Sequence, residues 1–292
     1  MIQSAATMGA LASAKHDHLT RLLELFPIRV VKKNWPKEKG KKESISASIA
    51  SKYGKPEILR FVHENLTCCK QHVYVFGHSG PVGELPGIAS SEIEAISDGP
   101  NSASYLMWCD YTVLLDNPME RKQVKFLWPI RIELTKHNVV IRLVILEKDI
   151  SALFPDRTVY MSKKNLEDID IIEFLKGEFK TPFAETDLNK GIKALWSKDA
   201  IDCVRTQYKK PLSTVTEVMD QSRGIKAHNP ELYKTLIGCP LYKSLFVVIS
   251  KNFSGATGFS ADPSRGNVDF SKYTESCSDT NNVIQEILRL NK

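Results

Sequence analysis

From Val73 to Met161 the chain is written for strands, and no helical pattern separates them. Five runs rich in β-branched and aromatic residues follow one another: His72–Phe76, Tyr105–Leu115, Val124–Thr135, Val139–Glu147 and Thr158–Met161. Successive strands without intervening helices predict an antiparallel sheet and not βαβ units. The break Lys136-His137-Asn138, short and polar, predicts a hairpin between the third and fourth runs.

Helical patterns lie on both sides of this block. Ahead of it, Leu19, Leu22, Leu23 and Phe26 set a helix over His18–Phe26. A second covers Glu43–Tyr53, with Ile45, Ile49 and Tyr53 four residues apart, and Gly54 marks its end. Pro56 opens a third through Leu66, with Ile58, Phe61, Val62 and Leu66 inward. Pro27 and Pro36 bracket an extended or looped basic stretch between the first two. Behind the block the pattern predicts a short acidic helix at Leu166–Leu175 and a long one at Thr186–Tyr208. Thr214 and Glu217 have capping-box spacing for a further helix. Asn229-Pro230-Glu231 begins another that Gly238 closes. A buried strand at Leu245–Ser250, a loop or hairpin over Phe253–Asn267, a strand at Asn267–Tyr273 and a last helix at Asp279–Leu290 complete the pass.

The fold class expected is α+β: a small N-terminal helical module followed by a mixed, mainly antiparallel sheet with packed helices. The division is residues 1–14 as a flexible tail or weak helix, 15–71 as a basic helical module and 72–292 as an α+β body, with a sub-boundary near 162. The longest apolar runs fall far short of the roughly 20 residues that span a bilayer, so no transmembrane segment is expected. Six scattered cysteines without a repeated spacing, in a chain whose start lacks a signal-peptide pattern, predict free thiols and a cytoplasmic protein.

Charge is where the sequence speaks about function. Residues 1–72 carry 13 Lys/Arg against 6 Asp/Glu, whereas residues 73–292 carry 27 against 28. The excess peaks at Arg29 to Lys42, with seven cations and one acid. A local field of this kind attracts polyanions. The candidate nucleic-acid-binding residues are Arg29, Lys32, Lys33, Lys37, Lys39, Lys41 and Lys42, with Trp35 placed either to stack on a base or to pack under the loop. The helices on either side of Gly54 have a helix-turn-helix order. The second offers only Arg60, His63 and Asn65 as polar readers, so contact with the phosphate backbone is expected in place of base reading.

Catalytic patterns are weaker. Gly77-His78-Ser79-Gly80-Pro81 departs from a nucleophile elbow at its last position, where Pro81 stands for glycine, and reads as a turn. Cys68, Cys69, His72 and His78 cluster within eleven residues, but no second Cys/His pair completes a zinc set. Asp110, Asp116, Glu133 and Glu147 lie on strands as a metal-dependent nuclease would want, yet no lysine has the spacing to join them, and solvent-facing charges are the expectation. No stretch carries a family signature. The resulting reading is a non-enzymatic adaptor without metal or cofactor, whose basic module docks nucleic acid and whose body assembles with a protein partner. The alternative is a metal-dependent nuclease or other hydrolase with a site on the sheet, using Asp110, Glu133 or Ser79.

Overall fold

The computed structural model describes residues 15–78, 93–99, 102–117, 120–135, 137–179, 182–210, 213–218, 224–250, 253, 258–274 and 276–292. In chain order they form α1 (His16–Glu24), α2 (Ile28–Asn34), α3 (Lys42–Lys52), α4 (Lys55–Asn65), β1 (Gln71–His78), β2 (Ile93–Gly99), β3 (Ser102–Asn117), β4 (Glu120–Thr135) and β5 (Asn138–Val144). There follow α5 (Glu147–Leu153), β6 (Thr158–Met161), α6 (Asp168–Glu178), β7 (Phe183–Glu185), α7 (Asn189–Ser197), β8 (Ile201–Lys210) and β9 (Ser213–Val218). The chain closes with α8 (Ile225–His228), α9 (Pro230–Ile237), β10 (Leu241–Val248), β11 (Gly258–Asp262), β12 (Asn267–Phe270) and α10 (Cys277–Leu290). The fold is α+β, with helices at the N-terminus and mainly antiparallel strands behind them. The segment 1–14 and the turn expected at Ser79 lie outside the described residues.

Two compact units divide the chain: Met1–Cys69 with His78–Phe183, and Lys70–Gly77 with Ala184–Lys292. In the first, β3 and β4 form one long ribbon in unbroken antiparallel register from Ser102↔Thr135 to Asn117↔Glu120. At about 3.3 Å per residue its sixteen-residue strands run roughly 50 Å. β5 continues the sheet beside β4, and β2 and β6 pair with opposite halves of β3. The helices bury one stripe each: Leu19, Leu22 and Leu23 from α1, Ile45 and Ile49 from α3, Ile58, Phe61 and Val62 from α4. Arg21 Nη1 of α1 donates to the Lys125 carbonyl of β4 at 3.0 Å, tying helix to strand.

In the second unit the strand order is β1-β12-β11-β10-β8-β9, antiparallel throughout, with β7 on β1. α7 packs against α10 so closely that a side chain at Gly191 would collide with the Ile287 carbonyl, which is why glycine stands there. Asp202, 2% exposed, organises one end of the sheet. Its carboxylate accepts from Trp196 Nε1 at 2.8 Å and from the amides of Lys226 at 3.0 Å and Ala227 at 3.2 Å, so it caps the start of α8.

Four expectations are corrected. The bracketed basic stretch is not a loop throughout, because Pro27 starts α2: its fixed φ suits a helix entry, and Val30 and Val31 provide an inward pair. Thr186–Tyr208 is not one helix. α7 ends at Ser197, the turn passes through Asp199 at φ +57°, and the β-branched residues that follow belong to β8. No helix begins at Thr214–Glu217; the segment lies in β9, antiparallel to β8. Free thiols hold for Cys69, Cys109, Cys203 and Cys239, whereas Cys68 and Cys277 are disulfide-bonded.

Candidate functional site

On α2, Arg29, Lys32 and Lys33 stand at i, i+3 and i+4 and therefore share one face, while Val30 and Val31 are buried on the other. The Trp35 amide closes the helix on the Val31 carbonyl at 3.0 Å. Its ring turns inward, 8% exposed, with ring centres 4.6 Å from Phe61 and 5.6 Å from Tyr53. Of the two roles open to Trp35, the structure shows packing under the loop. Lys37, Lys39 and Lys41 follow in the connection to α3, all exposed. Lys42, the first residue of α3, is half-buried. Burial pushes its ammonium below the usual lysine range, with Glu24 and Asp149 pulling the other way, and it stands apart from the exposed set.

Six cations remain: Arg29, Lys32, Lys33, Lys37, Lys39 and Lys41. All are exposed, and none is ion-paired or hydrogen-bonded through its side chain to the described residues. The single acid of the segment is spoken for. Glu38 accepts from Lys52 Nζ at 2.8 Å and from Ser48 Oγ at 2.7 Å, and these bonds hold its carboxyl below the usual carboxylate range. The result is a surface of point charges with its internal counter-charge removed.

α4 does not present a base-reading face. Its His63 points at the sheet and Asn65 donates back to the Phe61 carbonyl at 2.8 Å, leaving only Arg60 exposed of the three polar candidates. His63 belongs to a buried polar cluster that the sequence did not announce. His63 Nε2 lies 2.7 Å from Ser104 Oγ, and Arg131 donates to the His63 carbonyl at 2.7 Å. Glu133 sits between Arg131 Nε at 2.8 Å and Arg142 Nε at 3.2 Å. Arg142 is fully buried. The two guanidiniums outweigh burial and hold the Glu133 carboxyl below its usual range. Burial, with Arg131 beside it, pushes His63 down to about 4. A serine within hydrogen-bond reach of a neutral histidine has the outline of a nucleophile and base. Ser104 is only 7% exposed, however, and its hydroxyl serves to anchor α4 to β3. The signal was in the hairpin: the antiparallel register of β4 and β5 pairs Arg131 with Arg142 and Glu133 with Val140.

The carboxylates considered for metal chemistry do not converge. Asp110 pairs with Leu127 and Glu133 with Ser104, so the two are six register positions apart, roughly 20 Å. Asp110 is bound to Lys125 at 3.1 Å and Asp116 to Arg121 at 3.2 Å, while Glu147 lies in the first turn of α5. Glu133 corrects the expectation of a solvent-facing charge, because α4 covers its face of the sheet. Among the described residues no group of three or more His, Cys, Asp or Glu is placed to hold a metal ion. A separate cleft of about 330 Å³ is bordered by His16, Asp17, Arg21, Glu24, Glu43 and Phe154. Burial and the neighbouring Glu43 push its Glu24 carboxyl up. No helix among the described residues is long and apolar enough to cross a membrane. Compared with known proteins, the chain matches no family model, no curated protein and no solved structure.

Proposed function

We propose that this protein is a non-enzymatic adaptor that docks nucleic acid through Arg29, Lys32, Lys33, Lys37, Lys39 and Lys41 and assembles with a protein partner through its α+β body. One observation carries the reading: these six side chains are exposed and, among the described residues, in no ion pair, and Glu38 is occupied by Lys52. Cations held this way are free to displace the counter-ions of a phosphate backbone. The body's role is supported by Tyr160 and Ile169, 53% and 56% exposed, and by β6, which among the described strands pairs with β3 alone, so that its other edge could take a partner strand. A cytoplasmic site of action belongs to the same proposal. Four free cysteines favour it, and the bonded Cys68 and Cys277, which a reducing compartment would open, oppose it.

The test is co-purification followed by charge reversal. Protein purified at low salt should carry nuclease-sensitive material that raises its 260/280 nm absorbance ratio. The quadruple variant Lys32→Glu, Lys33→Glu, Lys39→Glu, Lys41→Glu should lose it while keeping its circular dichroism spectrum. Equal nucleic-acid retention by the folded variant refutes the reading.

A further inference from the structure

We infer that the nucleic acid gripped here is double-stranded and is held through its phosphates alone, with no base stacked and no base edge read. This deepens the proposed function and rests on it. Single-strand binders combine a basic groove with exposed aromatic rings on which successive bases stack, and those rings supply much of their affinity. Here the aromatic residues beside the basic surface are turned away from it: Trp35 packs on Tyr53 and Phe61, and Trp35 and Phe61 are buried. Base reading rests mainly on bidentate contacts, Asn or Gln to adenine and Arg or Lys to guanine, and of the two cations only Arg presents a planar fork. The one amide on this segment, Asn34, has its Nδ2 committed to the Val30 carbonyl at 3.0 Å, and Arg29 is the single guanidinium among five lysines. What remains is charge without geometry. A lysine ammonium is a compact point charge with no planar fork.

Such a surface favours the polyanion with the greater linear charge density. Duplex DNA carries one charge per about 1.7 Å of axis, and each neutralised phosphate contributes about 0.9 to the salt exponent, against about 0.7 for a single strand. α2 is seven residues long, about 10 Å at 1.5 Å per residue, and the loop cations extend its charged face. Six contacts give an exponent near −5 on duplex DNA, which is a loss of about 10³-fold in affinity between 50 and 200 mM salt.

The full chain is titrated by fluorescence anisotropy with a mixed-sequence 20-base-pair duplex, its separated strands, oligo-dT and an abasic strand of equal length, over 50–200 mM KCl. Expected are tighter binding of the duplex than of either strand by about tenfold or more, equal affinity for oligo-dT and the abasic strand, indifference to duplex sequence, and a duplex exponent near −5. Tenfold or greater preference for oligo-dT over the abasic strand means that bases stack and overturns the inference, while leaving nucleic-acid binding in place. Equal or tighter binding of the single strands does the same. Binding of none of the probes sinks the proposed function and this inference with it.

Discussion

Replacing Glu133 by glutamine tests whether the charge cluster between α4 and the first sheet is structural. The carboxylate lies 2.8 Å from Arg131 and 3.2 Å from Arg142, and the three side chains are 15%, 14% and 0% exposed. At an effective dielectric near 20, charges about 3 Å apart attract by roughly 5–6 kcal/mol per pair. Much of that is offset by the lost hydration of the ions, several kcal/mol each. Glu133→Gln keeps the shape and removes the charge. It leaves the hydration cost of two guanidiniums in place without the carboxylate between them, and breaking a buried pair in this way costs about 3–5 kcal/mol. Native-state hydrogen exchange on the β4 and β5 amides reads the loss locally. Protection should fall by about two to three and a half orders of magnitude at tenfold per 1.4 kcal/mol. Pairing the change with Arg131→Met should recover at least about 1 kcal/mol as a coupling term. A loss under about 1 kcal/mol in the single variant, or strict additivity in the pair, refutes the argument that Glu133 holds the cluster.

The remaining predictions concern proton, backbone and surface charge. His63 sits at about 4 when folded against about 6.5 when unfolded, so the folded chain binds fewer protons and this residue's contribution is complete above pH 6.5 and lost as pH falls to about 4. The ring is partly exposed, which discounts the full shift to about 1–2 kcal/mol. Urea midpoints of the parent should therefore fall more steeply from pH 7 to 4 than those of His63→Gln, and parallel slopes would show that His63 does not titrate as described. Gly224→Ala places a methyl group against the Asp202 carboxylate at a backbone φ of +74°, so the cap on α8 must open. A loss of about 2–4 kcal/mol is expected, with altered Trp196 fluorescence, and an unchanged thermal midpoint contradicts it. Glu38→Gln releases Lys52 to join the basic surface. The duplex salt exponent should steepen by about 0.9, and an unchanged exponent would show that Lys52 is not in reach of the phosphates.

What could be read from the sequence, and what could not, divides by the range of the interactions involved. α1, α3 and α4 are set by local periodicity, and the structure keeps Leu19/Leu22/Leu23, Ile45/Ile49 and Ile58/Phe61/Val62 on their inward faces. β6 is Thr158–Met161 as its β-branched run indicated, and Asn229 caps α9 by accepting from the Leu232 amide at 3.0 Å. The failures come where two local signals compete. Leu188, Ile192 and Leu195 have helical spacing, and Ile201, Val204 and Tyr208 continue it by coincidence, but pairing with β10 and β9 claims the second group for a strand. At Glu133, strand alternation fixes which face a side chain takes, and only the arrival of α4 decides that the face is dry. The basic segment was visible as composition. That Trp35 is buried and Glu38 occupied depends on Tyr53, Phe61, Ser48 and Lys52, which come 10 to 26 residues later.

The fold turns a count of cations into a sorted one. The sequence places seven between Arg29 and Lys42, and by composition all seven are equivalent. Folding draws Lys42 toward Glu24 and Asp149 at the cost of its hydration, and uses Lys52 from outside the segment to neutralise Glu38. Elsewhere in the same unit, Arg131 and Arg142 are sunk around Glu133, and Lys125 and Arg121 are bound to Asp110 and Asp116. Each of these pairings occupies an acid with a cation from outside the exposed six. Those six form a run broken only by Glu38, the acid already paired. Surface lysines that merely confer solubility need no such arrangement, because acids interspersed among them serve solubility equally well. A field left uncompensated on one helix face and the adjoining loop repels itself. Binding a polyanion removes that repulsion, so affinity should track the number of the six that remain charged and not the net charge of the chain.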